Sequence, residues 1–85
     1  MRYEYDPEAD AVYIYLPPEG RTYSYGCDVD AERRVDFAAD GRPLGIELLC
    51  VSGGVKLDGL PLREEVQRVL RELNIRAYAV EPPKF

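Results

Sequence analysis

Ala11-Val12-Tyr13-Ile14-Tyr15-Leu16 alternates two chemistries without a break, with aliphatic Val12, Ile14 and Leu16 on one side and aromatic Tyr13 and Tyr15 on the other. Successive side chains of a strand point to opposite faces, and branched and aromatic residues fill a pleated surface well. The segment therefore reads as a strand with an aliphatic core face and a tyrosine outer face. Upstream, Met1 to Tyr5 alternates in the same way. Between the two, Asp6-Pro7-Glu8-Ala9-Asp10 has the chemistry of a turn, because Pro7 presets φ and the Asp6 carboxylate can accept from amides two or three residues on. Together the three predict a β-hairpin.

Downstream, Pro17-Pro18-Glu19-Gly20 ends the strand, and Thr22 to Val29 reads as a third, in which Gly26 marks a bulge or a close backbone approach. Asp28 to Arg33 is polar enough to turn the chain. Arg34 to Ala38 places Val35 and Phe37 on one face, Asp40-Gly41 is a hairpin signal, and Leu44 to Val51 makes a fifth strand. Within that strand Leu44, Ile46, Leu48 and Cys50 are expected to face the core, with Leu49 and Val51 outward. Ser52-Gly53-Gly54 breaks the alternation, and Val55 to Leu60 is a connection without an assigned element. From Pro61 onward, Leu62, Val66, Val69, Leu70 and Leu73 follow the three-and-four spacing of one helical stripe. Asn74 suits a left-handed cap. Ile75 to Val80 reads as a last short strand, paired either to an edge of its own sheet or to a second protomer, and Glu81 to Phe85 is a tail. The pattern predicts an α+β domain: a five-stranded antiparallel β-meander with the Pro61 to Leu73 helix packed on one face through Val66, Val69, Leu70 and Leu73.

Eighty-five residues make one domain, 1–85, with the meander in 1–51 and the connection, helix and final strand in 52–85. Sixteen acidic against eleven basic residues leave a net charge of −5, the wrong sign for a protein that must neutralise nucleic-acid phosphates or an anionic membrane. A basic protein partner suits it better. Histidine is absent, which removes the commonest general base, the commonest zinc ligand and the middle member of most nucleophile triads. No catalytic residue, cofactor or metal is therefore expected. Cys27 and Cys50 have no ligand spacing and are expected to be buried free thiols. Asp6, Glu8 and Asp10 alternate as calcium-loop acids do, but no glycine or closing glutamate stands where such a loop needs them. Without a run of roughly 18–20 apolar residues or an apolar N-terminal segment, a cytoplasmic location is expected. The scarcity of Asn and Gln, two residues in all, fits a heat-adapted source.

Two stretches carry a resemblance. Tyr3-Glu4-Tyr5-Asp6-Pro7-Glu8-Ala9-Asp10-Ala11-Val12-Tyr13-Ile14 and Val35-Asp36-Phe37-Ala38-Ala39-Asp40-Gly41-Arg42-Pro43-Leu44-Gly45-Ile46-Glu47-Leu48-Leu49 resemble the opening and closing signatures of the domain of unknown function 2283, a family of short prokaryotic proteins, over residues 1–51. The resemblance implies an antiparallel meander and no activity. It also implies structural roles for Asp6 and Asp10 in the first hairpin. Some family members are encoded beside small toxin-like proteins, which implies a role of antitoxin type.

The leading functional expectation is a non-enzymatic protein-interaction module, antitoxin-like, with a small basic protein as partner. The rival readings are a small carboxylate-based or metal-dependent enzyme and a purely structural homo-oligomer. Two surfaces are expected to matter. In a meander the turn Asp6, Glu8, Asp10 and the turn Asp28, Asp30, Glu32 emerge at one end, and these six carboxylates form the expected partner-binding edge. Tyr13, Tyr15, Leu49 and Val51 form the expected interface of a homodimer, as an apolar patch on the face that the helix leaves open.

Overall fold

β1 (Tyr3–Asp6) and β2 (Ala11–Tyr15) form the expected hairpin, with Tyr3 opposite Ile14 and Tyr5 opposite Val12, in a computed structural model that describes residues 1–79. The turn closes as its chemistry dictates: Asp6 Oδ1 accepts from the amides of Glu8 and Ala9, each at 3.1 Å. β3 (Tyr23–Asp30), β4 (Arg33–Ala38) and β5 (Pro43–Leu49) follow as a second antiparallel run, and β5 closes onto β2. The sheet has the order β1-β2-β5-β4-β3.

The α+β class, the five antiparallel strands and the helix on one face are as the sequence predicts. A consecutive meander is not what forms, because β2 neighbours β5 rather than β3. Chain length permits this. At ~4.8 Å per strand β3 lies about 14 Å from β2, and the seven residues between Tyr15 and Tyr23 can reach about 23 Å. Arg21 pins the crossing: its Nε donates to the Pro18 carbonyl at 2.9 Å, and a terminal nitrogen donates to the carbonyls of Pro17 at 3.1 Å and Pro43 at 2.9 Å. The guanidinium thus ties the crossing chain to the start of β5.

Val12, Ile14 and Leu16 from β2 and its end, Ile46 and Leu48 from β5 and Val35 from β4 form the floor of the core. Its roof comes from beyond the sheet. Val51, Val55, Leu57 and Leu60 line the connection, while Val66, Val69 and Leu70 come from α1 (Arg63–Glu72), with Leu73 half-buried beside them. Glu64 and Glu65 in the first turn and Arg71 in the last suit the helix dipole. Beyond the helix, Asn74 takes φ 58°, the left-handed cap its side chain predicts.

Three local expectations are corrected. Cys50 takes φ 56° and ψ 41°, so the alternation of β5 ends at Leu49, and a 3-10 turn, Val51–Gly53, carries Val51 under the sheet to 1% exposure. Val51 is thus a core residue and does not stand on the outer face. For the same reason Cys50 is exposed, as is Cys27 on the outermost strand. The connection also contains β6 (Val55–Lys56), which pairs in parallel with β7 (Ala77–Tyr78). Within the chain the final strand therefore pairs with the connection rather than with an edge of the large sheet. Val80 and the tail Glu81 to Phe85 lie outside the described residues.

Candidate functional site

Although the order departs from a meander, every neighbouring pair is antiparallel, so the turns after β1 and β3 and the end of β5 share one end of the sheet. β5 ends between the two acidic turns. The amide of Leu49 donates to the Glu32 carbonyl at 2.8 Å, and that of Val51 to the Asp10 carbonyl at 3.2 Å. The fold thereby gathers Asp6, Glu8, Asp10, Asp28, Asp30 and Glu32 at one end.

Their chemistry then divides them. Asp6 holds its own turn. Asp10 takes φ 56° and accepts from the amide of Ser52 at 2.9 Å and from the Ser52 hydroxyl at 2.6 Å, fastening the first hairpin to the end of β5. Asp28 binds the Arg34 guanidinium at 3.2 Å. Asp30 caps the second turn by accepting from the Glu32 amide, and accepts from Arg33 Nε, each at 2.9 Å. Burial pushes the Asp30 carboxyl up, but the Glu32 amide and the Arg33 guanidinium outweigh it and hold it below the usual carboxylate value. Glu8 and Glu32 have no such employment. Among the described residues, no guanidinium or ammonium lies within 4.0 Å of Asp6, Glu8, Asp10 or Glu32.

Arg33 is the residue that sequence reasoning misses, since it reads there only as the end of a polar turn. It is 8% exposed, donates through Nη1 to the carbonyls of Lys56 (2.8 Å) and Asp58, and so joins β4 and the acidic turn to the connection that roofs the core. The available signal was phase: Arg33, Val35 and Phe37 alternate in register, which puts Arg33 on the inner face.

Cys50 is a natural reporter of the acidic end. Its thiol pKa is raised, first by hydrogen bonding to Glu32 and by that carboxylate's charge, then by burial and by Asp10, because nearby anions oppose a thiolate. In a Cys27→Ser background, alkylation of Cys50 by iodoacetamide is expected to titrate above the ordinary thiol value of about 8.5. Glu32→Gln is expected to lower that midpoint. An unchanged midpoint in the variant would mean that the two groups do not face each other.

On the outer face, Tyr13 and Tyr15 stand edge to face with ring centroids 4.8 Å apart. Both are half-buried. The Tyr13 hydroxyl donates to Asp36 Oδ2 at 2.7 Å, and burial followed by this bond pushes its pKa up. Gly45 makes room for the reach, since a Cβ there would meet the Tyr13 hydroxyl at 2.0 Å. The Arg2 guanidinium covers the Tyr15 ring at 3.8 Å. Of the expected apolar patch, Leu49 alone is an exposed aliphatic side chain there, at 39%. Tyr13 and Tyr15 are held within a polar network of the chain itself.

Further uncovered apolar side chains lie on the outermost strand. Tyr23, Tyr25 and Val29 of β3 are exposed, and on the helix side the strand overhangs an apolar trough lined by Cys27, Val29, Phe37, Pro43, Leu60 and Pro61. Tyr25 stacks on Phe37 with centroids 5.0 Å apart.

Among the described residues, no group of three or more acidic or cysteine side chains is placed to hold a metal ion, and no helix is long and apolar enough to cross a membrane. The family described as "Protein of unknown function (DUF2283)" matches residues 2–52. No curated protein and no solved structure matches the chain.

Proposed function

We propose, for a chain that belongs to the DUF2283 family, that it is a non-enzymatic protein-interaction module whose acidic end receives a basic protein. One observation carries this reading: Glu8 and Glu32 stand exposed on either side of the end of β5, without a cation to neutralise them among the described residues, beside four further carboxylates. Like charges crowded at one end repel, and a basic partner relieves that repulsion while the field speeds its approach. An antitoxin-type role follows the same chemistry, with the acidic end masking a basic surface of a toxin-like protein. The net charge of −5 favours such a partner over nucleic acid.

The division among the carboxylates selects the variants. Asp6, Asp10 and Asp30 fasten the fold, so changing them would confuse stability with binding. Glu8→Gln with Glu32→Gln removes two charges without breaking a bond to the backbone or to a cation, and a glutamine can still accept from the Cys50 thiol. With a basic partner obtained by affinity capture from the host, the double variant is expected to slow association about 3- to 10-fold at low ionic strength and to flatten its salt dependence, with the melting temperature nearly unchanged. An unchanged association rate would make the acidic end a solubilising rim.

A further inference from the structure

We propose that the chain forms a twofold homodimer by antiparallel pairing of β3 with β3 of a second copy, about an axis through Cys27. Among the described residues β3 is the last strand of its sheet, and one side of its backbone has no strand beside it. All of its residues except Gly26 are exposed. Such an edge offers a row of amides and carbonyls to another strand, and the apolar trough of about 560 Å³ along its inner face adds side-chain surface to the contact.

Charge identifies the occupant as a second copy. Residues directly opposite each other in an antiparallel pair share a face, so a twofold axis normal to the sheet passes through a residue. On the outer face the Arg34 guanidinium lies over Gly26, so close that a Cβ there would meet it at 2.4 Å, and it binds Asp28 at 3.2 Å. β3 therefore presents a cation at the level of Gly26 and an anion at Asp28, two positions along. An axis through Cys27 sets Gly26 of each chain opposite the partner's Asp28, so each Arg34 meets a second carboxylate. An axis through Gly26 would set the two Arg34 guanidiniums against each other, and one through Asp28 would do so with two carboxylates; like charges directly opposite are unfavourable.

Register shifts between Tyr23 and Tyr25 and between Asp28 and Asp30 confine the regular ladder to Tyr25, Gly26, Cys27 and Asp28. The contact is short and belongs to the small, weakly held class of interfaces. The two Cys27 residues lie directly opposite, at a Cα separation of about 4.5–5.5 Å, within the span a disulfide can bridge.

Sedimentation of the full chain from ~10 to ~300 µM is expected to pass from monomer towards dimer, as suits a small interface. Asp28→Arg, which sets a cation against the partner's Arg34, is expected to weaken the dimer at least about 10-fold, and adding Arg34→Asp is expected to restore it to within several-fold. Circular dichroism checks that the variants fold. Independently, in a Cys50→Ser background, diamide is expected to join the two Cys27 thiols of paired chains, taking two electrons and two protons and leaving one disulfide and its own hydrazine form. Cys27→Ser with Cys50 intact is expected to give no such product. A monomer throughout the range, a dimer that yields no Cys27 cross-link, or a dimer dissociated by Tyr13→Ser with Tyr15→Ser but indifferent to Asp28→Arg would each overturn the proposal.

Discussion

Arg33→Ala is expected to destabilise the fold by about 3 kcal/mol, because its guanidinium ties the sheet to the backbone of the connection that roofs the core. Two carbonyls, of Lys56 and Asp58, lose a charged donor in a part-buried setting, at roughly 1–2 kcal/mol each. The ion pair with Asp30 adds less than about 1 kcal/mol, because the Asp30 side chain is 48% exposed and water screens it. A domain of this size has roughly 4–12 kcal/mol in total, so the variant should lose a large share of its stability and melt about 10–20 °C lower. The loss should also depend on pH. The Asp30 carboxyl is held below its unfolded value, so its contribution is present above about pH 4 and disappears as pH falls through the lower, folded value. Urea melts at pH 7 and pH 3 test both parts: the gap between wild type and variant should be the wider at pH 7. A gap under about 1 kcal/mol at pH 7 would mean that the guanidinium does not hold the connection to the sheet.

Leu70→Ala is expected to have a comparable or larger effect, about 2–5 kcal/mol, the range for truncating a fully buried leucine. Leu70 is 0% exposed and lies in the helix, beyond residues 2–52. Its neighbours in the core, Val12, Ile14, Ile46 and Leu48, all lie within the stretch that carries the family match. The sheet shared with the family therefore depends on a helix outside that match to cover its apolar floor. Arg68→Ala on the exposed side of the same helix is the control, with an expected change within about 0.5 kcal/mol. Equal effects of the two substitutions would contradict the burial of the helix face and with it the account of the core.

Periodicity made much of the fold legible. The alternation Val12, Ile14, Leu16 against Tyr13, Tyr15 set the two faces of β2, and the stripe Val66, Val69, Leu70 set the buried face of the helix, because a hydrophobic pattern records which side of a local element avoids water. Turn chemistry was equally local: Asp6 accepting from the amides of Glu8 and Ala9, and Asn74 in the left-handed region, needed nothing from the rest of the chain. The co-location of the two acidic turns was also legible, since it requires only that the strands alternate in direction.

Strand order was not legible, because nothing in the chemistry of residues 16–22 says whether they make a tight turn or cross beneath two strands; reach allows both, and closure of β5 onto β2 settles it. Nor was the fate of Val51. Its place in the alternation pointed outward, and one left-handed residue, Cys50, turned it into the core. Partners divided the acids in the same way. Asp10 and Asp30 look alike beside Glu8 and Glu32 in the sequence, yet the first pair is occupied by Ser52 and Arg33, while the second pair is exposed and, among the described residues, has no cation within 4.0 Å. A side chain's type tells what it can bond to, but only the packed chain brings the bonding group within reach, and that decides which carboxylates hold the fold and which are left without a cation.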